Sequence, residues 1–142
     1  MNIYIDCEFD GQRLLSMAMV TGSDCFYETL ESTYANPSQW VKENVWPALR
    51  KPPIDYETLQ IRAAAYINGH EDAQIVADWP SDIEFLCRVL NLGNGKMLSL
   101  RDGRLRFLID LRLTSKDSLV PHNALADARA IWECARKIGI EP

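Results

Sequence analysis

Residues 2–11 read NIYIDCEFDG, a run of strand formers that ends among three acids, Asp6, Glu8 and Asp10. Alternation places Ile3, Ile5, Cys7 and Phe9 on one face of a strand and Tyr4, Asp6 and Glu8 on the other. Side chains two apart on a strand stand ~6.6 Å apart, so Asp6 and Glu8 can reach one metal ion or flank a pair of ions. Asp10 belongs with Gly11 to the turn into the next strand. Taken alone, an Asp-x-Glu triplet is equally what polar surface at a strand end looks like.

Two more strands follow at short range. RLLSMAMVTG (13–22) is mostly apolar and ends at Thr21-Gly22, and CFYETL (25–30) begins just after Ser23-Asp24. Connections this short predict an antiparallel meander. The middle of the chain turns helical. PSQWVKENVWPALR (37–50) spaces Trp40, Val41, Val45 and Trp46 as a helix until Pro47 interrupts it, and DYETLQIRAAAYI (55–67) carries a Leu59, Ala63 and Tyr66 stripe.

AQIVAD (73–78) reads as a buried strand. SDIEFLCRVLNLG (81–93) reads as a helix with a Ser81–Glu84 capping box and a stop at Gly93. A loop or hairpin around Asn94-Gly95 and Asp102-Gly103 leads to the strand RLRFLIDLR (104–112). NALADARAIWECARKIG (123–139) closes the chain as a helix with Leu125, Ala128, Trp132 and Ala135 on one stripe and Gly139 at its end. The order β-β-β-α-α-β-α-β-α predicts an α/β fold: a mixed five-stranded sheet, meander first and parallel strands after, flanked by helices.

The 142 residues suit one domain, 1–142, with a sizeable core. A net charge of −5 argues against a protein that grips a long duplex by a basic surface, but not against a nuclease whose metal ions supply the positive charge. Four scattered cysteines and two histidines give no finger-type zinc pattern, and the cysteines are expected reduced and mostly buried. The start of the chain lacks a secretory signature and no long apolar run is present, so the expected location is cytoplasmic, away from membranes.

Two further acidic stations complete the pattern. Asp82 would sit in a first helical turn, where the macrodipole favours an acid whatever its role, and Asp78 is its rival on the same loop. His122 precedes the last helix, with Asn123 as N-cap, and Asp127 lies inside that helix. The ordinary reading is a loop histidine and a solvent-facing acid.

In this order, Asp-x-Glu on the first strand, an aspartate at a central helix start and His-x(4)-Asp on the last helix resemble the DEDDh 3′–5′ exonucleases of the ribonuclease H-like fold. The matching pieces are DCE, SDIEFL and HNALADA, so the resemblance runs from Asp6 to Ala128. DCEF is similar to a small exoribonuclease branch of that family, and the register of SDIEFL selects Asp82 over Asp78. The chain departs from the family at Asp78-Trp79, where many relatives carry His-Asn, and at Phe9, where Thr and Gly often follow the glutamate.

The resemblance implies a ribonuclease H-like fold in which Asp6, Glu8, Asp82 and Asp127 hold two Mg²⁺ or Mn²⁺ ions and His122 is the general base. It implies hydrolysis of single-stranded or short RNA from a free 3′ end, releasing nucleoside 5′-monophosphates. The same chemistry on single-stranded DNA, and a nucleic-acid-binding module without turnover, are the alternatives. Trp79, Phe9 and Cys7 fall where the terminal nucleotide is expected. Arg101, Arg104, Arg106 and Arg112 would contact phosphates or else guard a strand edge. Relatives are often homodimers, with Trp40 or Trp46 as candidate interface aromatics here. Asp110 would be a supporting acid, and His70 has no partner motif and reads as surface.

Overall fold

The structure is a computed structural model that describes residues 1–140; residues 141 and 142, the end of the expected domain, lie outside the described residues. The meander forms as its turns predict: β1 (Asn2–Asp10), β2 (Arg13–Val20) and β3 (Cys25–Leu30) pair antiparallel in sequence order. A short edge strand, β4 (Pro53–Ile54), then joins β3 in parallel. After helix α2 (Tyr56–Asn68), β5 (Gln74–Ala77) pairs parallel with β1, and β8 (Arg106–Ile109) pairs parallel with β5.

The main sheet therefore has six strands, in the order β4-β3-β2-β1-β5-β8, rather than the expected five. The extra strand begins on Pro53, which lacks an N–H and is tolerated at a sheet edge. The segment around Asn94-Gly95 is a small hairpin of β6 (Asn91–Gly93) and β7 (Lys96–Met97). Both loop residues have positive φ, 52° and 71°, the geometry that an Asn-Gly two-residue turn supplies.

Helices cover both faces. Ile3, Ile5, Cys7, Met17 and Met19 pack against Leu59 and Ala63 of α2 and against Phe85, Leu86 and Val89 of α3 (Pro80–Leu90). Tyr4 and Ala18, on the opposite face, meet α4 (Ala124–Lys137) through Ala124, Ala128, Ile131 and Ala135. Each large apolar side chain so buried contributes about 1.5–3 kcal/mol.

Three local expectations are corrected. Pro47 does not end its helix: residues 41–45 form a π turn that runs straight into α1 (Trp46–Leu49), with the Trp46 N–H donated to the Val41 carbonyl five residues back. A π turn already breaks the i→i−4 ladder, so the missing proline N–H is accommodated there. Ser81 is not a cap, because α3 starts one residue earlier, with Pro80 in the first position and Trp79 in the N-cap position. Nor does Gly93 stop that helix, which ends at Leu90 and passes directly into the hairpin.

The buried residues of α4 are Ala124, Asp127, Ala128, Ala130, Ile131 and Ala135. Ala128 and Ala135 belong to the predicted stripe, whereas Leu125 and Trp132 are only partly buried and Ala124, Asp127 and Ile131 face the sheet beside them. Of the cysteines only Cys7 is buried, where most were expected to be, and all four are free thiols. Among the described residues no helix is long and apolar enough to cross a membrane.

Candidate metal centre

β1 outlasts its parallel neighbour. Its pairing with β5 ends at Tyr4↔Val76, so Asp6, Cys7 and Glu8 continue past the carboxyl end of β5, where α3 begins. Ligand sites of open α/β sheets occupy this position. The Cys7 N–H is taken by Asp82 Oδ1 at 2.9 Å, which fixes the third residue of α3 against the β1 backbone. On the other side the β1–β2 ladder skips Leu15 between Glu8 and Phe9, a bulge of the kind that re-aims side chains beside sites.

The third wall comes from α4. His122 has a left-handed backbone, φ 65°, and its N–H donates to Asp127 Oδ2 at 3.1 Å. Asn123 caps the helix as predicted: its Oδ1 accepts the Ala126 N–H at 3.0 Å while its Nδ2 donates to the Ala48 carbonyl at 2.6 Å. That second bond ties the start of α4 to the end of α1.

These constraints bring carboxylate oxygens of Asp6, Glu8 and Asp127 within 4.8 Å of one another, a grouping able to hold a metal ion. All three residues are buried, and Asp6 Oδ2 and Asp127 Oδ1 find no hydrogen-bond donor. Burial is the first cause that drives the Asp6 carboxyl far above the ordinary range, with Asp82, Glu8 and Asp127 adding repulsion. Burial, then the Asp127 charge, pushes Glu8 to about 8. Burial, then Asp78, pushes Asp82 to about 7, and Asp127 is raised by burial as well. Buried acceptors without donors, in a cluster of hard oxygen ligands, fit a divalent cation such as Mg²⁺ or Mn²⁺.

His122 is half-buried at the rim, its Nδ1 4.0 Å from Glu8 Oε2. Its ring stands edge-on to Trp40, centroids 4.9 Å apart at 80°. Asp82 is the most buried of the four acids yet lies outside the three-residue grouping, anchored to β1. Asp78, half-buried, flanks it.

The other candidates separate clearly. Trp79, in the N-cap position of α3, is exposed. Phe9 is half-buried, its ring 4.9 Å from Phe85. Cys7 turns its side chain into the opposite core, so a nucleotide on the acidic face meets neither its thiol nor its N–H, which Asp82 already holds. Arg101 pairs with Glu71, Arg104 and Arg106 with Asp72, and Arg112 with Asp110, consistent with a charged strand edge. His70 is not surface: its ring packs on Tyr66, with Nδ1 2.9 Å from the Tyr66 carbonyl and Nε2 3.3 Å from Asp24 Oδ1.

Trp46 is partly buried rather than exposed. It stacks on Tyr34 and donates its indole N–H to the Thr33 carbonyl at 3.2 Å. The residue that sequence reasoning misplaced is Trp40. Its helical spacing put it with an apolar stripe, whereas it reaches the histidine across the fold, a contact with no local signature. Comparison of the chain with protein-family models, with curated proteins and with solved structures gave no match.

Proposed function

We propose that the protein is a metal-dependent 3′–5′ exoribonuclease with a ribonuclease H-like fold. The observation that carries this reading is the convergence of Asp6, Glu8 and Asp127 within 4.8 Å, with buried oxygens that lack donors and a histidine at the rim. Asp6, Glu8 and Asp127 would hold the divalent ions, two Mg²⁺ or Mn²⁺, with Asp82 bracing them from α3. Such ions neutralise a phosphodiester and acidify a water molecule.

The chain's own residues do the rest. His122 takes the proton of the attacking water, and the Glu8 carboxylate beside Nδ1 stabilises the imidazolium, leaving Nε2 as the basic atom. Trp79, exposed at the start of α3, offers a face on which a base of a single strand can stack. A net charge of −5 suits a short or single-stranded substrate held by its end rather than a duplex held along its length.

The test is incubation with 5′-labelled RNA and DNA oligomers in Mg²⁺, Mn²⁺ or chelator. A ladder shortening from the 3′ end of RNA, abolished by chelator, is the expected result. A ladder on DNA alone would reassign the sugar. Tight binding of either polymer without turnover would make the chain a binding module.

A further inference from the structure

His122 carries the proton in the proposed reaction, yet little restrains its ring. The backbone is fixed, with φ at 65° and the N–H donated to Asp127 Oδ2. The side chain is 41% exposed, and Glu8 Oε2 stands 4.0 Å from Nδ1, beyond hydrogen-bond reach. A base free to swing into solvent spends little time aligned with its water. The remaining contact on the ring is Trp40, with centroids 4.9 Å apart at 80°, the edge-to-face arrangement that aromatic rings favour. Trp40 is itself 48% exposed, so burial does not account for its place.

The segment that bears Trp40 makes it a fixed wall. Asp10 Oδ2 accepts the Ser38 N–H at 3.1 Å and is met by Arg13 Nη2 at 3.2 Å. Arg13 also donates to the carbonyls of Ala35 and Asn36, and Ser38 Oγ accepts the Val41 N–H at 3.3 Å. Further along, Val41, Val45 and Leu49 pack on Leu15 of β2, and Asn123 Nδ2 holds the Ala48 carbonyl. Residues 35–49 are thus tied at one end to the β1–β2 turn and at the other to the residue that follows His122. Asp10, the third acid of residues 2–11, serves here as an anchor.

We propose, resting on the nuclease reading, that Trp40 is a positioning residue: its indole holds the His122 ring at the rim of the carboxylate cluster, and Asp10 and Arg13 fix the indole from the β1–β2 turn. The rival role for an exposed tryptophan at the mouth of the site is to stack on a base of the substrate. The two roles act on different constants. A stacking residue grips substrate and transition state alike and shows in KM, whereas a residue that aligns the base shows in kcat.

Steady-state kinetics in Mg²⁺, on whichever 5′-labelled single strand the wild type degrades, test the proposal. Trp40→Ala lowers kcat by about three- to tenfold and leaves KM within about twofold. Trp40→Phe, which keeps an aromatic ring, recovers most of the loss, and Trp40→Leu does not. In a His122→Ala background Trp40→Ala costs nothing further, because groups that act as a unit are not additive. Arg13→Ala, which frees residues 35–38, gives a smaller loss that vanishes in the same background. Independently of turnover, the imidazole C–H resonances of His122, one of the two histidines in the chain, move in Trp40→Leu as the indole ring current is lost. A loss confined to KM, a loss that persists without His122, or unmoved resonances overturn the proposal. A wild type inactive on RNA and DNA overturns the nuclease reading and this role with it, whereas an active wild type with Trp40→Ala at full kcat overturns this role alone.

Discussion

Glu8 on β1 and Glu28 on β3 are the same residue type on the same sheet, at nearly the same exposure, 8% and 5%. Their surroundings are opposite. Glu28 is met by Lys51 Nζ at 3.0 Å and Arg62 Nη1 at 2.8 Å. Glu8 has two neighbouring carboxylates and, at 4.0 Å, a histidine. Burial costs each glutamate several kcal/mol if it is ionised and unpaired. The chain offsets that cost with its own cations at Glu28 and withholds them at Glu8. A buried acid with internal partners holds the fold together, whereas one left without them destabilises the protein unless a cation binds there.

The contrast is broken most severely by neutralising each side in turn. Asp6→Asn should lower nuclease activity by about 10⁴-fold, because several kcal/mol of metal-derived charge stabilisation are lost. In chelator at pH 8 the same variant should be more stable by about 1–3 kcal/mol, since a buried carboxyl crowded by like groups is gone. Glu28→Gln should do the reverse, losing about 1–3 kcal/mol with activity nearly intact. Urea titrations of both variants in chelator give the signs, and equal signs would end the distinction drawn here.

Next in size is His122→Ala, expected to slow turnover by about 10²–10³-fold while calorimetric Mn²⁺ affinity stays within a small factor, since the ring stands at the rim, 4.0 Å from Glu8, beside the three-carboxylate grouping. A parallel loss of metal binding would move His122 into the ligand set.

Titration sharpens the comparison further. Glu8 at about 8 and Asp82 at about 7 lie above ordinary carboxylates, so the folded metal-free protein holds more protons than the unfolded chain between roughly pH 4 and 8. Their contribution to stability is fully present below about pH 4 and is lost as pH rises through 7 and 8. In chelator the melting temperature should therefore fall across this window, and saturating Mn²⁺ should flatten or reverse the slope above pH 7. Asp72 and Asp110 carry the opposite sign: hydrogen bonds from Arg104 and Arg112 hold them below the usual range, so they lose their contribution only in acid.

The smallest effects separate two helix starts. Asn123→Ala removes a side chain that both caps α4 and bonds α1, and should cost about 1–2 kcal/mol. Ser81→Ala removes nothing that caps α3 and should stay within about 0.5 kcal/mol. Thermal melts of the two variants decide it.

What could be read in the chain followed the range of the forces involved. The meander, the parallel strands after it and the cap at Asn123 are set by alternation, turn residues and one side-chain bond, all within a few positions. That Asp6 and Glu8 share a face is likewise local. β4 could not be read because two residues starting at Pro53 carry no period, and only β3 makes them a strand. The start of α3 was misjudged because a good capping pair at Ser81 and Glu84 competes with Pro80, and proline's fixed φ prevailed. The facing of Asp127 was legible only through the family pattern. Of its own predicted stripe Ala128 and Ala135 are buried, while Leu125 and Trp132 pack only partly buried at the margin and Ala124 and Ile131 take the buried places beside them. Trp40 against His122 spans 82 positions, and no spacing encodes it.

The π turn at Val41–Val45 acts as a change of phase. Successive residues of an α-helix advance by about 100°, and one extra residue in a turn shifts everything before it against everything after it. Val41, Val45 and Leu49 can thus stay on Leu15 while Trp40, one step earlier, is dialled round to the histidine. Wound at the same length as plain α-helix, the segment would carry Trp40 off that ring, so Pro47, by favouring the wider turn, sets the angle at which an aromatic side chain stands at the mouth of the site.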